Sequence, residues 1–214
     1  MKAAMDDPVD GRVRRAQESR EARRAQILAT ALRVFSEKGF HQTSITDVVK
    51  AAGVARGTFY LYFDSKAAIF HELLDELMTH LRSNVMGVDM APGAPPMVEQ
   101  LVATVARILD TLQENRPLTR ILFHVAVGVD ADVDERLTGF YESLRGFIGY
   151  SLTLGQAARV VRSEIDVEIT ASCALGSLKD VVQRYVVESD TDFDVDGVAR
   201  AIVDYNLAGV GAQS

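Results

Sequence analysis

From Ser44 to Lys66 the chain reads SITDVVKAAGVARGTFYLYFDSK, a segment dense in hydrogen-bond donors. Arg56 can form two parallel hydrogen bonds to guanine O6 and N7, a contact worth roughly 1–3 kcal/mol of base discrimination. Thr58 can bond a phosphate or touch a thymine methyl. Tyr60 and Tyr62 can donate to phosphate oxygens, and Lys66 can add a point charge there. Ser44 and Thr46 stand where a helix would begin, and the free amides of a helix N-terminus favour an anion. On this pattern phosphate contacts fix the register while Arg56 and Thr46 reach base edges.

Those side chains need a scaffold, and the same segment supplies one. Ser44 with Asp47 three residues on predicts a capping box and a short helix ending at Gly53, where positive φ is reached without Cβ strain. Val48, Val49 and Ala52 give that helix its apolar face. A second short helix, near Arg56–Phe63, begins within three residues. Val54, Phe59 and Phe63 fill the space behind it and leave Arg56, Gly57, Thr58, Tyr60 and Tyr62 exposed. Two short helices joined by a tight glycine turn are the layout of a helix-turn-helix. Upstream, Ile27, Leu28, Ala31, Leu32 and Phe35 share one face of a helix read as Arg20–Gly39. Downstream, Asp64 and Ser65 are cap candidates for a helix to about Arg82, with Ile69, Phe70, Leu73, Leu74, Leu77, Met78 and Leu81 inward.

Residues 23–70, RRAQILATALRVFSEKGFHQTSITDVVKAAGVARGTFYLYFDSKAAIF, resemble without a gap the N-terminal domain of TetR-family transcriptional regulators. Ile27, Leu28, Phe35, Gly39, Ala52, Gly53 and Val54 match the first half of that pattern. Gly57, Thr58, Tyr60, Tyr62, Phe63, Ser65 and Lys66 match the recognition helix and the Ser-Lys pair beyond it. Val49 stands where the family usually has Ala, and Ala67 where it often has Glu; neither departure touches a DNA-facing position. The resemblance implies that Ser44, Thr46, Arg56, Gly57, Thr58, Tyr60, Tyr62 and Lys66 contact double-stranded DNA. It further implies a homodimer reading a palindromic operator, and a small-molecule effector that releases it.

The chain has 214 residues, 48% hydrophobic and 25% charged, with a net charge of −7. From Met1 to Lys66 there are 12 Lys+Arg against 8 Asp+Glu, a net of +4; the remainder carries 11 against 22, a net of −11. A polyanion would meet the first part and be repelled by the rest. The most apolar stretch, Ile121–Val129, is interrupted by His124 and is too short to span a bilayer. A charged N-terminus without an apolar run predicts no export signal, hence a cytoplasmic protein without membrane association. The lone Cys173 fits that compartment as a buried small hydrophobe.

The hydrophobic period is helical throughout, and the predicted fold is all-α: a flexible basic arm (1–19), a helix-turn-helix domain (20–66), and a helical effector-binding and dimerisation domain (67–214) opening with a connecting helix (67–82). Arg12, Arg14, Arg15, Arg20, Arg23 and Arg24 leave two readings open for the arm's charge: a solvated tail, or an arm that tracks phosphates or enters a minor groove. Pro92, Gly93, Pro95 and Pro96 mark a loop, after which helices are expected at Met97–Asn115, Leu118–Val127, after the Asp130, Asp132, Asp134 cluster, at Asp166–Glu188 and at Val195–Gly209. By the resemblance, the last two pair with their mates in the dimer. Leu101, Val105, Phe123, His124, Phe140, Tyr141, Leu144, Phe147 and Cys173 are the candidate lining of an apolar effector pocket, and each could equally be core.

Enzymatic chemistry finds no support. His71 and Glu72 open a zinc-protease pattern, but Asp75 stands where its second His should be. The Asp130 and Asp190 clusters lack the central Gly and closing Glu of a calcium loop. No metal or cofactor is expected. The competing reading is a ligand-independent nucleoid-associated or partner-recruiting DNA-binding protein of the same fold; a cavity filled by its own side chains would favour it.

Overall fold

The computed structural model describes residues 8–125 and 131–210, and among them the secondary structure is helical, with no strand. In order come α1 (Pro8–Lys38), α2 (Ile45–Ala52), α3 (Arg56–Tyr60), α4 (Lys66–Asn84), α5 (Met97–Glu114), α6 (Arg116–Val125), α7 (Ala131–Ala157), α8 (Val167–Val182) and α9 (Val195–Val210); Gln183–Val187 continues α8 as a π-helical turn. The chain divides into two compact units, one ending at Leu73 and the next starting at Leu74, so α4 contributes to both.

In the first unit, α1 begins at Pro8 rather than near Arg20, so the segment expected as a flexible arm is helical from that residue on; residues 1–7 lie outside the described ones. Proline suits a first helical turn, where its missing N–H has no partner to lose. Beyond it, exposed pairs one turn apart support the helix: Arg14 with Glu18 at 3.6 Å and Gln17 Nε2 donating to Glu21 at 3.2 Å. At the other end Gly39, at φ +83°, turns the chain. Ile27, Ala31, Phe35, Phe40, Val48, Phe59 and Phe70 are all buried in this unit. Phe40 meets Phe35 edge-on and Phe70 at a tilt, with centroids 5.1 Å apart in both pairs. Burial of each such ring stabilises by roughly 1.5–3 kcal/mol. Arg24 pins α1 to α4: its guanidinium lies 5.0 Å from the Phe63 ring centroid and forks onto both carboxylate oxygens of Glu72.

The second unit packs α5 against α9 and α7 against α8. Gly155 permits the turn after α7 to fold back, since a Cβ there would lie 2.5 Å from Cγ2 of the buried Val161. Asp166 caps α8 by accepting from the Ile169 amide. Arg120 donates to the carbonyls of Val187 and Ser189, both at 2.8 Å, satisfying backbone acceptors where the π turn ends. Asp132 and Asp134 sit inside the first turn of α7 rather than ahead of it, where negative charge complements the helix dipole; Asp130 lies outside the described residues. Arg136 ties α7 to α4 through Asp75 at 2.5 Å, and also meets Asp132 at 3.0 Å.

Candidate functional site

The first helix of the helix-turn-helix is closed at both ends by local chemistry. Ser44 and Asp47 form the expected capping box: the Asp47 amide donates to Ser44 Oγ at 3.2 Å, and the Ser44 amide donates to Asp47 Oδ2 at 2.9 Å. A hydrogen bond from Lys38 Nζ at 2.6 Å, seconded by those from Ser44, holds the Asp47 carboxyl well below the usual carboxylate range. At the far end Gly53 takes φ +64°, the left-handed bend the sequence required.

After that bend, α3 is shorter than expected and stops at Tyr60 instead of Phe63. The amides of Tyr62 and Phe63 both turn back to the Phe59 carbonyl, at 2.9 and 3.1 Å, and this tightening brings Phe63 into the core beside Phe59. Of the row expected outward, Arg56, Gly57 and Tyr60 are exposed, Tyr60 by 43%, while Thr58 and Tyr62 are half-buried. Arg56 lies along the Tyr60 ring, 5.9 Å from its centroid, with Nη2 3.4 Å from the phenol oxygen, so the guanidinium is held extended along the helix. Ser44 and Thr46 are exposed at the start of α2. Leu61, which sequence reasoning passed over, is 71% exposed directly after α3. An arginine, small polar groups and phenols on a bare helix suit base edges and phosphates.

Lys66 is a correction. Rather than reaching outward, its ammonium donates to the carbonyls of Phe40, His41 and Thr43, at 2.8, 3.2 and 2.9 Å, and sits 4.6 Å from the Phe40 ring centroid. Three donors meeting three acceptors make it a clamp on the α1–α2 loop.

Within the second unit, side chains of α5, α7, α8 and α9 surround an apolar cavity of about 130 Å³. Of the expected lining, Leu101, Val105, Leu144 and Phe147 are in its wall. Phe123, Phe140 and Tyr141 line a smaller adjoining space that shares Leu144. Burial pushes the Tyr141 phenol above its ordinary value. His124 lies outside the residues whose side chains are described. Cys173 is overturned as a pocket residue and as a buried thiol: it is exposed, because α8 turns Ala174 and Leu175 to the cavity instead. Ile202, Val203, Asn206 and Leu207 of α9 complete the wall. The resemblance gave that helix to the dimer, while its apolar faces could equally serve as core in a single chain; the apolar residues three to five apart are the signal that part of it faces inward. A different strip of these two helices stays outside: Ile169, Cys173 and Gly176 on α8, and Ala201, Tyr205 and Ala208 on α9.

Comparison with known proteins bears on both units. Residues 27–73 match the family model for bacterial regulatory proteins, tetR family. The HTH-type transcriptional regulator YdgC of Bacillus subtilis is 26% identical over 171 residues, covering 79% of this chain and 84% of its own. The HTH-type transcriptional regulator TtgR of Pseudomonas putida is 27% identical over 199 residues, covering 91% of this chain and 94% of its own. In fold, the chain matches the crystal structure of NalD, the secondary repressor of the MexAB-OprM multidrug efflux pump in Pseudomonas aeruginosa, with a TM-score of 0.75 at 20% identity over 92% of this chain and all of that one. Among the described residues no helix is long and apolar enough to cross a membrane.

Proposed function

Since this chain is a transcriptional regulator of the TetR family, a DNA-binding protein rather than an enzyme, we propose that it acts as a homodimeric repressor that leaves a palindromic operator when a small, largely apolar molecule enters its cavity. The observation that carries this reading is the bare ridge of α3, where Arg56, Gly57, Thr58 and Tyr60 have no covering chain beside a turn built to present them. Arg56 reads a guanine and Thr46 reaches a base edge beside it; Thr58, Tyr60, Tyr62 and the N-terminus of α2 with Ser44 hold the backbone. Lys66 acts behind them by fixing the α1–α2 loop. The DNA-binding domain covers 20–66 with the helical extension before it, and 67–214 binds the effector and the second subunit, all in the cytoplasm where the DNA is.

One five-residue recognition helix covers too few base pairs for specificity, so a twofold pair is required to read two half-sites. The exposed strips on α8 and α9 are the surfaces available for that pairing. An effector releases DNA only by binding the free form better than the bound form. α4, which is shared by both units and held to α7 through Asp75 and Arg136, is the element through which that preference is expressed.

An apolar cavity with open volume favours this reading over a ligand-independent architectural protein. Selection of bound fragments from genomic DNA, and then titration of the recovered site by fluorescence anisotropy, tests it. A palindromic site that loses the protein on addition of an apolar compound is the expected result. Binding without sequence preference and untouched by any cavity ligand would sustain the architectural alternative.

A further inference from the structure

The wall of the larger cavity has a polarity that its apolar surface conceals. None of its lining residues is ionisable, so a charged guest would lose its hydration without gaining a counter-charge. The few polar groups are Thr104, Ser151, Thr170 and Asn206. Thr104 Oγ1 gives its proton to the Gln100 carbonyl at 2.9 Å and accepts from Arg107 Nη2 at 2.9 Å; Ser151 Oγ gives its proton to the Phe147 carbonyl at 3.0 Å.

Asn206 is the decisive group, because its carboxamide can be oriented without ambiguity. Nδ2 lies 2.8 Å from the Ile202 carbonyl, which only accepts, and 3.0 Å from Ser177 Oγ. Ser177 Oγ already donates to the Ala174 carbonyl at 2.8 Å, so towards Asn206 it too accepts. Both N–H bonds of the amide are therefore committed to the protein, and Oδ1 accepts from no described residue. With the Thr104 and Ser151 protons likewise committed, the wall, Thr170 apart, offers acceptors and no donors.

Deepening the ligand-gated reading and resting on it, we propose that the cavity takes an uncharged apolar molecule bearing a hydrogen-bond donor, a phenol or an alcohol, which it gives to Asn206 Oδ1. A pocket with an unmet acceptor penalises a guest of equal shape that lacks the donor, since that acceptor is then buried without a partner.

The test uses three probes of one shape on the full-length protein by calorimetry: 4-propylphenol, its methyl ether 4-propylanisole, and 4-propylbenzoate. The expected order is phenol first, the ether roughly five- to tenfold weaker, and the benzoate weaker than both. In Asn206→Leu the phenol–ether ratio falls to about one while the ether still binds; should that variant fail to fold, the wild-type ratio decides alone. Equal binding of phenol and ether, or preference for the benzoate, overturns this inference and leaves the ligand-gated reading standing. No binding of any of the three at millimolar concentration overturns both.

Discussion

A methyl group placed on Gly57 would meet nothing within 4 Å, and the residue has ordinary helical φ, so the glycine is not there for the fold. Glycine inside a helix costs about 0.5–1 kcal/mol relative to alanine, and a DNA contact on the exposed row of α3 would account for that cost through close approach of the backbone. Gly57→Ala is therefore expected to leave the melting temperature equal or higher while weakening operator binding, read by a thermal melt and anisotropy on the same preparation. Unchanged affinity would remove Gly57 from the interface. Lys66 gives the opposite pairing. With its three donors on loop carbonyls, Lys66→Met is expected to destabilise the protein by about 2–3 kcal/mol yet leave the slope of log affinity against log salt unaltered. Were the ammonium on a phosphate, that slope would shallow by about 0.9.

Capping at α2 carries a pH dependence whose sign is set by Asp47. Its carboxyl titrates below the ordinary carboxylate range because Lys38 and Ser44 hold the ionised form, so its contribution is complete above the unfolded value of about 3.9 and is lost only as pH falls through the lower folded value. Asp47→Asn is expected to be less stable than the wild type at pH 7, with the difference narrowing below pH 4; a difference constant from pH 7 to pH 2 would show that the charge is not what stabilises the cap. This element was legible in the sequence because its determinants are local: Ser44 and Asp47 are three residues apart, and Gly53 alone sets the bend. The start of α1 was not legible, since the i,i+4 pairs that sustain it, such as Arg14 with Glu18, look the same in a solvated tail. Nor were the inward faces of α8 and α9, where the expected Cys173 lies outside the cavity and Asn206 stands in its wall. Both helices carry small and apolar residues on more than one side, and only packing decides which side meets the core. The helical extension also keeps Arg12, Arg15, Arg20 and Arg23 on the exposed surface of the cationic unit. Removing residues 1–18 is expected to shallow the salt slope while keeping base preference, and an unchanged slope would make the extension a solvated handle.

At the scale of the whole molecule, a regulator that reads two half-sites depends on a surface that one copy of the chain leaves unused. The strips Ile169, Cys173, Gly176 and Ala201, Tyr205, Ala208 each advance by four and then three residues, the spacing that keeps side chains on one helical face. Tyr205 is 75% and Ile169 64% exposed, large apolar groups that water covers poorly unless a second subunit does. Gly176 separates the two roles such a face could have. A Cβ at that position meets nothing within 4 Å, so a bulky side chain there fits the single chain and disturbs only what docks upon it. Gly176→Phe is expected to retain helicity and cavity-ligand binding, to elute at the mass of one chain, and to bind an isolated half-site as the wild type does. Its affinity for the full palindrome should fall roughly 100-fold, because the second recognition helix is no longer tethered at high effective concentration beside the first. A variant that still elutes as a dimer with full operator affinity would show that the subunits meet on another face, and the pairing of half-sites would then have to be sought outside α8 and α9.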